Sequence, residues 1–549
     1  MSALLQTISR REWRFVFVLA GVVMAVTVAP VVYGWLLTPD NSVFTGTHFV
    51  SYDDWFVYYS YLEQTRQGNW LFFNLFTSEP HAPVLHLEWL AVGLIAKTFN
   101  LSSVVAFNLA RLLVIPIFFI IAYLFIAHLF DDTKKRQVTA LLLAFGSGLG
   151  FLFISQLLVY PANFANGSFH WPIDWWVPEA TTFLTLYYSA HHTISLGLML
   201  LIFLTLTLAV SSRKVRYSIL SAATTGVLFF YHPYHVMSVL AVSAAYGIAV
   251  VLRDRTQFWN LVRHGVLVGL CALPAIGYFG AMVDADWVMA MKAVQNLTPS
   301  PPLWLTLAGY GLLVPFALVG GYQLVSQRRL DERWLLVLVW PFVSLALMYS
   351  PLAYQRRMSA GLHVPLVILA TEGLWYGYAW LRSSRHWLAR RGYGQRYLVL
   401  MALIVLFSGS IFFQLAADTF IYTTHIEPTY LPRDVVDAAT WLRTVGAQEV
   451  ILSYYGEGIV NVIPAYSGRT VYVGHRIETV NPAAKSQAVE WFFGRNRPDA
   501  VERTFLKKRN IGYLFYGPEE QKLGSFNPAG KPYLREVYRN SMVAIYQVL

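Results

Sequence analysis

The sequence has 549 residues, of which 56% are hydrophobic and only 13% are charged, and its formal net charge is +11. A soluble globular protein carries roughly 25% charged residues, so this composition excludes a wholly water-soluble chain. The single cysteine, Cys271, also excludes a disulfide framework and a cysteine-based metal site.

Charged residues divide the chain into two parts. They are sparse over residues 1–429 and twice as frequent over residues 430–549. We therefore predict a membrane-embedded part over 1–429, followed by a small water-soluble domain over 430–549.

Apolar stretches of about 20 residues, the length that crosses a bilayer core, recur along the first part. With the marginal stretches 84–99 and 217–231, they predict a polytopic α-helical membrane protein with 11 to 13 crossings. The stretches that qualify without reservation are 14–37, 104–130, 137–160, 190–210, 234–252, 262–282, 303–326, 334–350, 359–381 and 397–417.

Short clusters of Lys and Arg between the apolar stretches predict the orientation. Such clusters mark the cytoplasmic side, so we expect a cytoplasmic N-terminus and an extracytoplasmic domain 430–549. Topology then explains most of the positive charge, and no nucleic-acid partner is expected. The clusters are Arg10/Arg11/Arg14, Lys134/Lys135/Arg136, Arg213/Lys214/Arg216, Arg253/Arg255/Arg263, Arg328/Arg329/Arg333 and Arg382/Arg385/Arg390/Arg391/Arg396.

The stretch 84–99 conflicts with this topology. If 84–99 and 104–130 each cross once, the cluster at Lys134 lies on the outer side. Either 84–99 does not cross fully, or Asp131 and Asp132 offset the charge of the cluster.

The first outer segment, 38–83, is long for a connection between two spans, and it collects acidic residues. Adjacent Asp53 and Asp54 repel each other unless a cation, an arginine or a proton separates their roles. A carboxylate at this place can act as a general base toward a hydroxyl group. The alternative is a helix N-cap at the start of an amphipathic helix over 54–67. Glu79 is a further candidate for a substrate cavity.

Some basic residues lie on the expected outer side, against the general bias: Arg66, Lys292, Arg356 and Arg357. A charge close to the hydrocarbon is costly unless it is paired or functional. Arg356 and Arg357 open a predicted helix, and helix N-termini and guanidinium groups both suit phosphate. The alternative is a snorkelling pair or an ion pair with an outer acid.

The outer segment 161–189 and the spans that follow it supply aromatic and imidazole side chains. Its tryptophans suit either an interfacial belt or stacking on a sugar ring. The spacing of His232 and His235 resembles a metal-binding pair, but no third ligand has matching spacing, so we expect no bound metal. Polar residues of these parts are instead predicted to line a hydrated substrate cavity: Glu179, His191, His192 and His232.

Motifs in the first outer segment resemble those of a known superfamily. Asp53-Asp54 is followed by Gly68-Asn69-Trp70 and then by His81-Ala82-Pro83. This order resembles the GT-C glycosyltransferases, nearest the branch of protein O-mannosyltransferases and lipid A aminoarabinose transferases. That branch has Asp-Glu, Gly-Asp/Asn-Trp and a Lys-Pro-Pro-like element in these places. The resemblance covers residues 1–110, and beyond them only the hydrophobic architecture is similar.

Two residues depart from the pattern of that branch. Asp54 stands where the branch has Glu, and His81 stands where it has a lysine expected to meet a lipid phosphate. The phosphate role is then shared with basic residues of other outer segments: Lys292, Arg356 and Arg357.

The resemblance implies an integral-membrane glycosyltransferase of the cell envelope, acting on the outer face of the membrane. The donor is then a polyprenyl-phosphate-linked hexose or pentose, and the acceptor is a glycan, lipid or protein hydroxyl. Transfer inverts the anomeric carbon, with Asp53, or alternatively Asp54, as general base. His81, Arg356 and Arg357 stabilise the leaving phosphate. No cofactor is required, and a divalent metal is not favoured.

Two other functions stay open. Intramembrane histidines and arginines and the helix break at Pro233 also fit a membrane transporter or lipid flippase, although we find no internal repeat. A noncatalytic glycan-assembly subunit on the same scaffold is the third hypothesis.

The domain 430–549 is predicted to be a small α/β sandwich. It has neither a Gly-rich nucleotide loop nor a nucleophile elbow. Its expected role is acceptor recognition or covering the site, and the alternative is a cap that stabilises the last spans. The predicted helices are 433–445, 483–493 and 498–509, and the predicted strands are 450–452, 470–473, 511–515 and 543–546.

Overall fold

The computed structural model describes residues 2–50, 52–156, 170–383, 407–454 and 461–549. It consists of two compact units. The first, which we call the helical unit, comprises 1–29, 109–279 and 297–416, and the second, the mixed unit, comprises 30–108, 280–296 and 417–549. Parts of some predicted elements lie outside the described residues: 157–160 of the span 137–160, 161–169 of the segment 161–189, and 397–406 of the span 397–417.

Seven helices in the described part of the chain are long and apolar enough to cross a membrane. The number is eight if the helices Leu303–Tyr310 and Leu313–Ser326, which are bent by 81°, count as one broken span. The bend lies at Gly311, whose φ of 50° is a conformation that favours glycine. The seven are Arg10–Leu36, Ser103–Leu129, Thr133–Phe153, Ala190–Ser212, Pro233–Arg253, Arg255–Ala285 and Gln355–Trp380.

These helices confirm the predicted polytopic α-helical membrane protein. The predicted spans 217–231 and 334–350 form the helices Val215–Tyr231 and Glu332–Met348, each of 17 residues. This length is at the lower limit for crossing a bilayer. Because part of the chain lies outside the described residues, the total of 11 to 13 crossings stays a prediction.

The marginal stretch 84–99 forms the helix Leu87–Thr98, which has 12 residues. A helix of that length extends about 18 Å, well short of a hydrocarbon core of about 30 Å. The helix is therefore too short to cross a membrane by itself, and this agrees with the first of the two explanations for the topological conflict at the Lys134 cluster.

Small residues allow two helices of the helical unit to pack closely. A Cβ atom on Gly320 would lie 2.0 Å from the Leu369 carbonyl oxygen, and one on Gly373 would lie 2.0 Å from the Phe316 carbonyl oxygen. Leu313–Ser326 and His363–Ser383 therefore touch backbone to backbone, as membrane helices do at small-residue contacts. This contact anchors the helix that directly follows Arg356 and Arg357.

Shorter helices complete both units. Those of the helical unit are Ser2–Gln6, Ile173–Trp176 and Thr182–Tyr188. Two of the membrane-length stretches are interrupted: Thr133–Phe153 consists of Thr133–Phe145 and the 3-10 helix Gly150–Phe153, and Gln355–Trp380 contains the 3-10 helix Gln355–Ser359 and the start of His363–Ser383. Those of the mixed unit are Tyr52–Arg66, Leu87–Thr98, Trp287–Gln295, Arg433–Trp441, Leu442–Thr444, Val462–Ser467, Pro482–Phe493, Asp499–Lys508 and Pro518–Lys522. The helix Gly409–Thr423 leads into the last part of the chain.

The strands belong to the mixed unit. They are β1 (Ser42–Phe44), β2 (Tyr430–Pro432), β3 (Val450–Leu452), β4 (Thr470–Val471), β5 (Ile511–Tyr516), β6 (Leu534–Arg539) and β7 (Ala544–Val548). Five of them form one sheet in the order β4-β3-β5-β7-β6, in which β3 is parallel to β4 and β5, and β7 is antiparallel to β5 and β6. β1 and β2 form a separate antiparallel pair.

The helices beside this sheet bury a compact apolar core. Phe492, Phe493, Leu506 and Leu514 are all fully buried in it, and removing such side chains from water stabilises the fold. The small α/β region predicted at the C-terminus is thus confirmed. Strand β6 was not predicted, because its charged residues are typical of a solvent-exposed loop. In the structure they lie on an edge strand, where charged side chains are tolerated.

Candidate functional site

Asp53 and Asp54 lie in the first turn of the helix Tyr52–Arg66. Acidic groups are favoured there because the free N–H groups of a helix N-terminus carry a partial positive charge. The buried rings of Trp55 and Phe56 follow directly and anchor the helix, with Trp55 at 4.3 Å from the Phe107 ring centroid. The two carboxylates are therefore presented by a rigid element.

His475 lies between the two carboxylates. Its Nε2 atom is 3.3 Å from Asp53 Oδ2 and 3.2 Å from Asp54 Oδ1. The imidazole is buried, with 3% of the residue exposed, whereas both aspartates keep a partly exposed side chain. Two acids and one imidazole thus form a compact cluster, which we call the acid–imidazole cluster.

The turn that carries His475 is held by Thr479. Its hydroxyl accepts a hydrogen bond from the Gly474 backbone N–H and donates one to the Phe76 carbonyl oxygen. The His475 ring lies edge-on to Phe76, with ring centroids 6.2 Å apart. The segment 38–83 and the C-terminal region together fix the imidazole beside the carboxylates.

Charge governs the protonation of the acid–imidazole cluster. Burial of His475 opposes its protonation, but the negative charges of Asp53 and Asp54 outweigh burial and raise the pKa of His475 to about 9. Burial also raises the pKa of Asp53, against the opposing charge of His475. At neutral pH His475 is therefore an imidazolium.

Other predicted site residues of the mixed unit have partners of their own. His81 Nδ1 donates to the Glu79 carbonyl oxygen, and its Nε2 accepts from the Asn74 backbone N–H, each at 2.8 Å. The Glu79 carboxylate accepts from Lys485 Nζ at 2.7 Å. Lys292 pairs with Glu478. These side chains hold the end of the segment 38–83, and a phosphate contact by His81 requires breaking one of its two hydrogen bonds to the backbone.

A second polar cluster lies in the helical unit. Glu179, His192, His232 and His235 are all buried, and one ligand atom from each lies within 4.8 Å of the others. His191 points its Nδ1 atom at Ser189 Oγ, 2.8 Å away. We call the first four residues the histidine–glutamate cluster.

Arg356 and Arg357 lie in the short 3-10 helix Gln355–Ser359 of the same unit. The Arg356 guanidinium is 4.3 Å from the centroid of the Trp176 ring, and the Arg357 guanidinium is 5.0 Å from that of Tyr234. Such cation–π contacts hold a guanidinium in place. Arg357 Nη1 is also 4.0 Å from Glu179 Oε1, as the ion-pair alternative predicted.

The predicted residues thus fall into two sets. Those of the mixed unit are Asp53, Asp54, Glu79, His81 and Lys292, and those of the helical unit are Glu179, His191, His192, His232, Arg356 and Arg357. Sequence reasoning missed two members of the clusters. The sequence signal for His475 was only a glycine–histidine pair after a predicted strand. The signal for His235 was only its spacing from His232.

Both clusters bear on the expectation that no metal is bound. Among the residues that the structure describes, these are the groups of three or more His, Asp or Glu side chains whose ligand atoms converge. Two carboxylates with an imidazole, or three imidazoles with a carboxylate, are donor sets that divalent metals use. The question of a metal is therefore open.

No protein-family model matches the sequence, and no significant match to a curated protein is found. Solved structures are similar over nearly the whole chain. The oligosaccharyltransferase of Archaeoglobus fulgidus in its apo form has a TM-score of 0.54 and 14% identity, over 91% of this chain and 69% of that chain. Archaeoglobus fulgidus AglB in complex with an inhibitory peptide and a dolichol-phosphate has a TM-score of 0.51, with 14% identity over 90% of this chain and 69% of that chain.

Two further structures are similar at the same level. ArnT from Cupriavidus metallidurans, bound to undecaprenyl phosphate, has a TM-score of 0.53 and 12% identity over 98% of both chains. The arabinofuranosyltransferase AftD from Mycobacteria has a TM-score of 0.50 and 15% identity, over 98% of this chain and 42% of that chain. At these identities the similarity establishes the fold, and the resemblance to GT-C glycosyltransferases is confirmed at that level.

Proposed function

We propose that this protein with the GT-C fold is a glycosyltransferase that moves a hexose or pentose from a polyprenyl-phosphate donor to an acceptor hydroxyl. ArnT and AglB, which have similar structures, are bound to undecaprenyl phosphate and dolichol-phosphate. A lipid donor of the same class suits a chain with at least seven helices able to cross a membrane. The reaction is placed on the extracytoplasmic face, following the orientation inferred from the Lys and Arg clusters.

The acid–imidazole cluster is the observation that carries the proposal. A carboxylate that acts as general base toward a hydroxyl must be both ionised and open to the acceptor. His475 supplies a positive charge within 3.3 Å of both acids, which favours their ionised forms. Each aspartate keeps a partly exposed side chain, which leaves room for an acceptor.

In the proposed step, the acceptor hydroxyl gives its proton to Asp53 while its oxygen attacks the anomeric carbon. The bond between that carbon and the phosphate oxygen breaks, and the electron pair leaves with the polyprenyl phosphate. Attack from the side opposite the phosphate inverts the anomeric centre. Asp54 is the alternate base, and His475 is a positioning residue that holds both carboxylates.

Arg356 and Arg357 are our candidates for binding the donor phosphate. Guanidinium groups suit phosphate because they offer paired N–H donors in one plane. Aromatic rings already orient both groups, so little conformational freedom is lost on binding. Lys292 and His81 are kept as secondary candidates, since Lys292 is in close ion-pair contact with Glu478 and both ring nitrogens of His81 are hydrogen-bonded, whereas Arg357 is only 4.0 Å from Glu179.

Glu79 and His191 keep their predicted role in lining a substrate cavity, whereas Glu179, His192 and His232 belong to the histidine–glutamate cluster. A glycan, lipid or protein hydroxyl is the proposed acceptor. No metal takes part in the proposed proton transfer, because His475 supplies the positive charge beside the acids. A divalent cation bound by Asp53, Asp54 and His475 would supply that charge instead.

A transfer assay with the full chain in lipid nanodiscs tests the proposal. A panel of radiolabelled polyprenyl-phosphate pentoses and hexoses is offered with envelope glycans, lipids and peptides as acceptors. We expect release of polyprenyl phosphate that depends on the acceptor, together with transfer of label. Asp53→Asn should reduce this rate by roughly 100- to 10,000-fold, the usual contribution of a general base.

The control is Asp437→Asn, the same chemical change at an exposed position of the helix Arg433–Trp441. It should leave the rate unchanged. Lipid binding without transfer in the unaltered protein would point to a noncatalytic assembly subunit. Movement of the intact donor across the bilayer, unaffected by Asp53→Asn, would point to a flippase. Either result would overturn the proposal.

A further inference from the structure

Four buried side chains converge in the helical unit from separate places in the chain. Glu179 precedes the helix Thr182–Tyr188, and His192 lies in the first turn of Ala190–Ser212. His232 lies between Val215–Tyr231 and Pro233–Arg253, and His235 follows in the first turn of the latter helix. Three segments of the chain thus meet at the histidine–glutamate cluster.

The cluster is almost wholly removed from solvent. Glu179, His192, His232 and His235 are 7%, 5%, 7% and 2% exposed. Among the residues that the structure describes, neither ring nitrogen of His235 has a hydrogen-bond partner, nor has Nδ1 of His192 or of His232. A buried polar nitrogen without a partner is costly, so this arrangement calls for a ligand that accepts electron pairs from several imidazoles.

The geometry suits one small cation. One ligand atom from each side chain lies within 4.8 Å of the other three. Around a tetrahedral zinc ion with bonds of about 2.1 Å, ligand atoms lie about 3.4 Å apart, so the set must contract by up to about 1.4 Å. Side-chain rotation can supply this, since His192 Nδ1 already lies 3.9 Å from Glu179 Oε1. The His232 and His235 rings are stacked, with centroids 3.9 Å apart.

The identity of the donor atoms narrows the choice of ligand. A phosphate or another anion would be repelled by the Glu179 carboxylate in the same cluster. Mg²⁺ and Ca²⁺ prefer oxygen donors, whereas three imidazole nitrogens with one carboxylate oxygen suit zinc. Arg357 Nη1 lies 4.0 Å from Glu179 Oε1, so the neighbouring positive charge is close to the carboxylate, which is the single anionic group of the cluster.

We propose that Glu179, His192, His232 and His235 bind a zinc ion that has a structural role. Four protein ligands leave no position open for substrate, which is typical of structural zinc and distinguishes this site from catalytic ones. The ion would join the ends of the helices Ala190–Ser212 and Pro233–Arg253 to the segment around Glu179. This proposal is independent of the proposed proton transfer, because it uses neither Asp53 nor His475, and it replaces the predicted role of Glu179, His192 and His232 in the substrate cavity.

Metal analysis of the full chain tests the site. The protein is purified in nanodiscs with a tag that lacks histidine, stripped with EDTA, and titrated with Zn²⁺ against a competing chelator. We expect one zinc ion per chain, with no competition from Mg²⁺. His235→Asn and His192→Asn should each weaken zinc binding by roughly 10-fold or more.

Two controls locate the ion. His264→Asn alters another buried histidine of the helical unit outside the cluster and should retain zinc. His475→Asn alters the acid–imidazole cluster. If this variant alone loses zinc, the ion is bound there and the proposal is overturned. Failure of the unaltered chain to take up zinc would overturn it as well.

X-ray absorption spectroscopy of the unaltered, zinc-loaded chain identifies the atoms that bind zinc. It needs no variant, so it tests the proposal even if a substituted chain fails to fold. The proposal requires three imidazole nitrogens and one carboxylate oxygen at about 2.0 to 2.2 Å. A shell with two or more water or carboxylate oxygens, as the acid–imidazole cluster would give, contradicts it.

Discussion

His475 Nε2 lies 3.3 Å from Asp53 Oδ2, although the two residues come from opposite ends of the sequence. The contact brings a buried imidazole from the C-terminal region to the acidic pair of the segment 38–83. Because the charge on His475 depends on pH and Asp53 is the proposed base, this one contact links stability, pH dependence and activity.

Stability should fall at alkaline pH because of His475. Its pKa is raised from an ordinary value near 6.5 to about 9, so its protonated form stabilises the folded state. That contribution is fully present below about pH 6.5 and is lost as the pH rises through about 9. It amounts to roughly 3 kcal/mol at most.

Thermal unfolding in nanodiscs between pH 6 and 10 measures this contribution. His475→Asn should lose most of the decrease in Tm over that range. His425→Asn, at an exposed histidine of the same unit, should keep it. If the Tm of His475→Asn and that of the unaltered chain depend equally on pH, the charges assigned to the acid–imidazole cluster are wrong.

The same substitution should change the pH profile of sugar transfer. The positive charge on His475 lowers the pKa of Asp53 relative to burial alone, so its removal raises that pKa. In His475→Asn the acidic limb of kcat/KM should move to higher pH, and kcat should fall by roughly 10-fold or more. A reduced rate with an unmoved limb would indicate that His475 supports the fold only.

Substitutions at Arg356 and Arg357 should act mainly on the lipid donor. Lysine keeps the charge but loses the planar pair of donors and the stacking on Trp176 or Tyr234. Arg356→Lys and Arg357→Lys should each raise the KM for the donor by roughly 10-fold, the cost of a charge-assisted hydrogen bond.

The acceptor KM measured on the same variants should change little. Arg329→Gln removes an exposed arginine of a predicted cytoplasmic cluster and serves as the control. If Arg329→Gln and the two lysine variants affect the donor KM alike, the phosphate assignment is wrong.

The contact between the two close-packed helices gives a prediction on stability. In Gly320→Ala the new methyl group would lie 2.0 Å from the Leu369 carbonyl oxygen, so the helices must separate. The expected loss is roughly 1 to 3 kcal/mol, as for other overpacked sites. Gly377→Ala, with nothing within 4 Å of its added Cβ, should be neutral or slightly stabilising. Denaturation midpoints of the two variants in the same detergent make the comparison.

Local features were accessible from the sequence because they depend on neighbouring residues. The predicted spans 104–130 and 190–210 correspond to the helices Ser103–Leu129 and Ala190–Ser212, since a run of apolar residues fixes its own helix in lipid. The predicted strand 511–515 corresponds to β5, because a short run of apolar and aromatic residues is typical of a buried strand. The order of motifs after the first span was sufficient to indicate the GT-C fold.

The membership of the two clusters was decided by the tertiary structure alone. Spacing along the chain indicates which side chains share a helix face, and it contains nothing about which distant segments meet. His475 joins Asp53 only because a turn after β4 packs on Phe76, and Glu179 joins His235 only because three segments converge. The charge of a buried group depends on its nearest charged neighbours, so the chemistry of both sites was set by contacts that no local pattern contains.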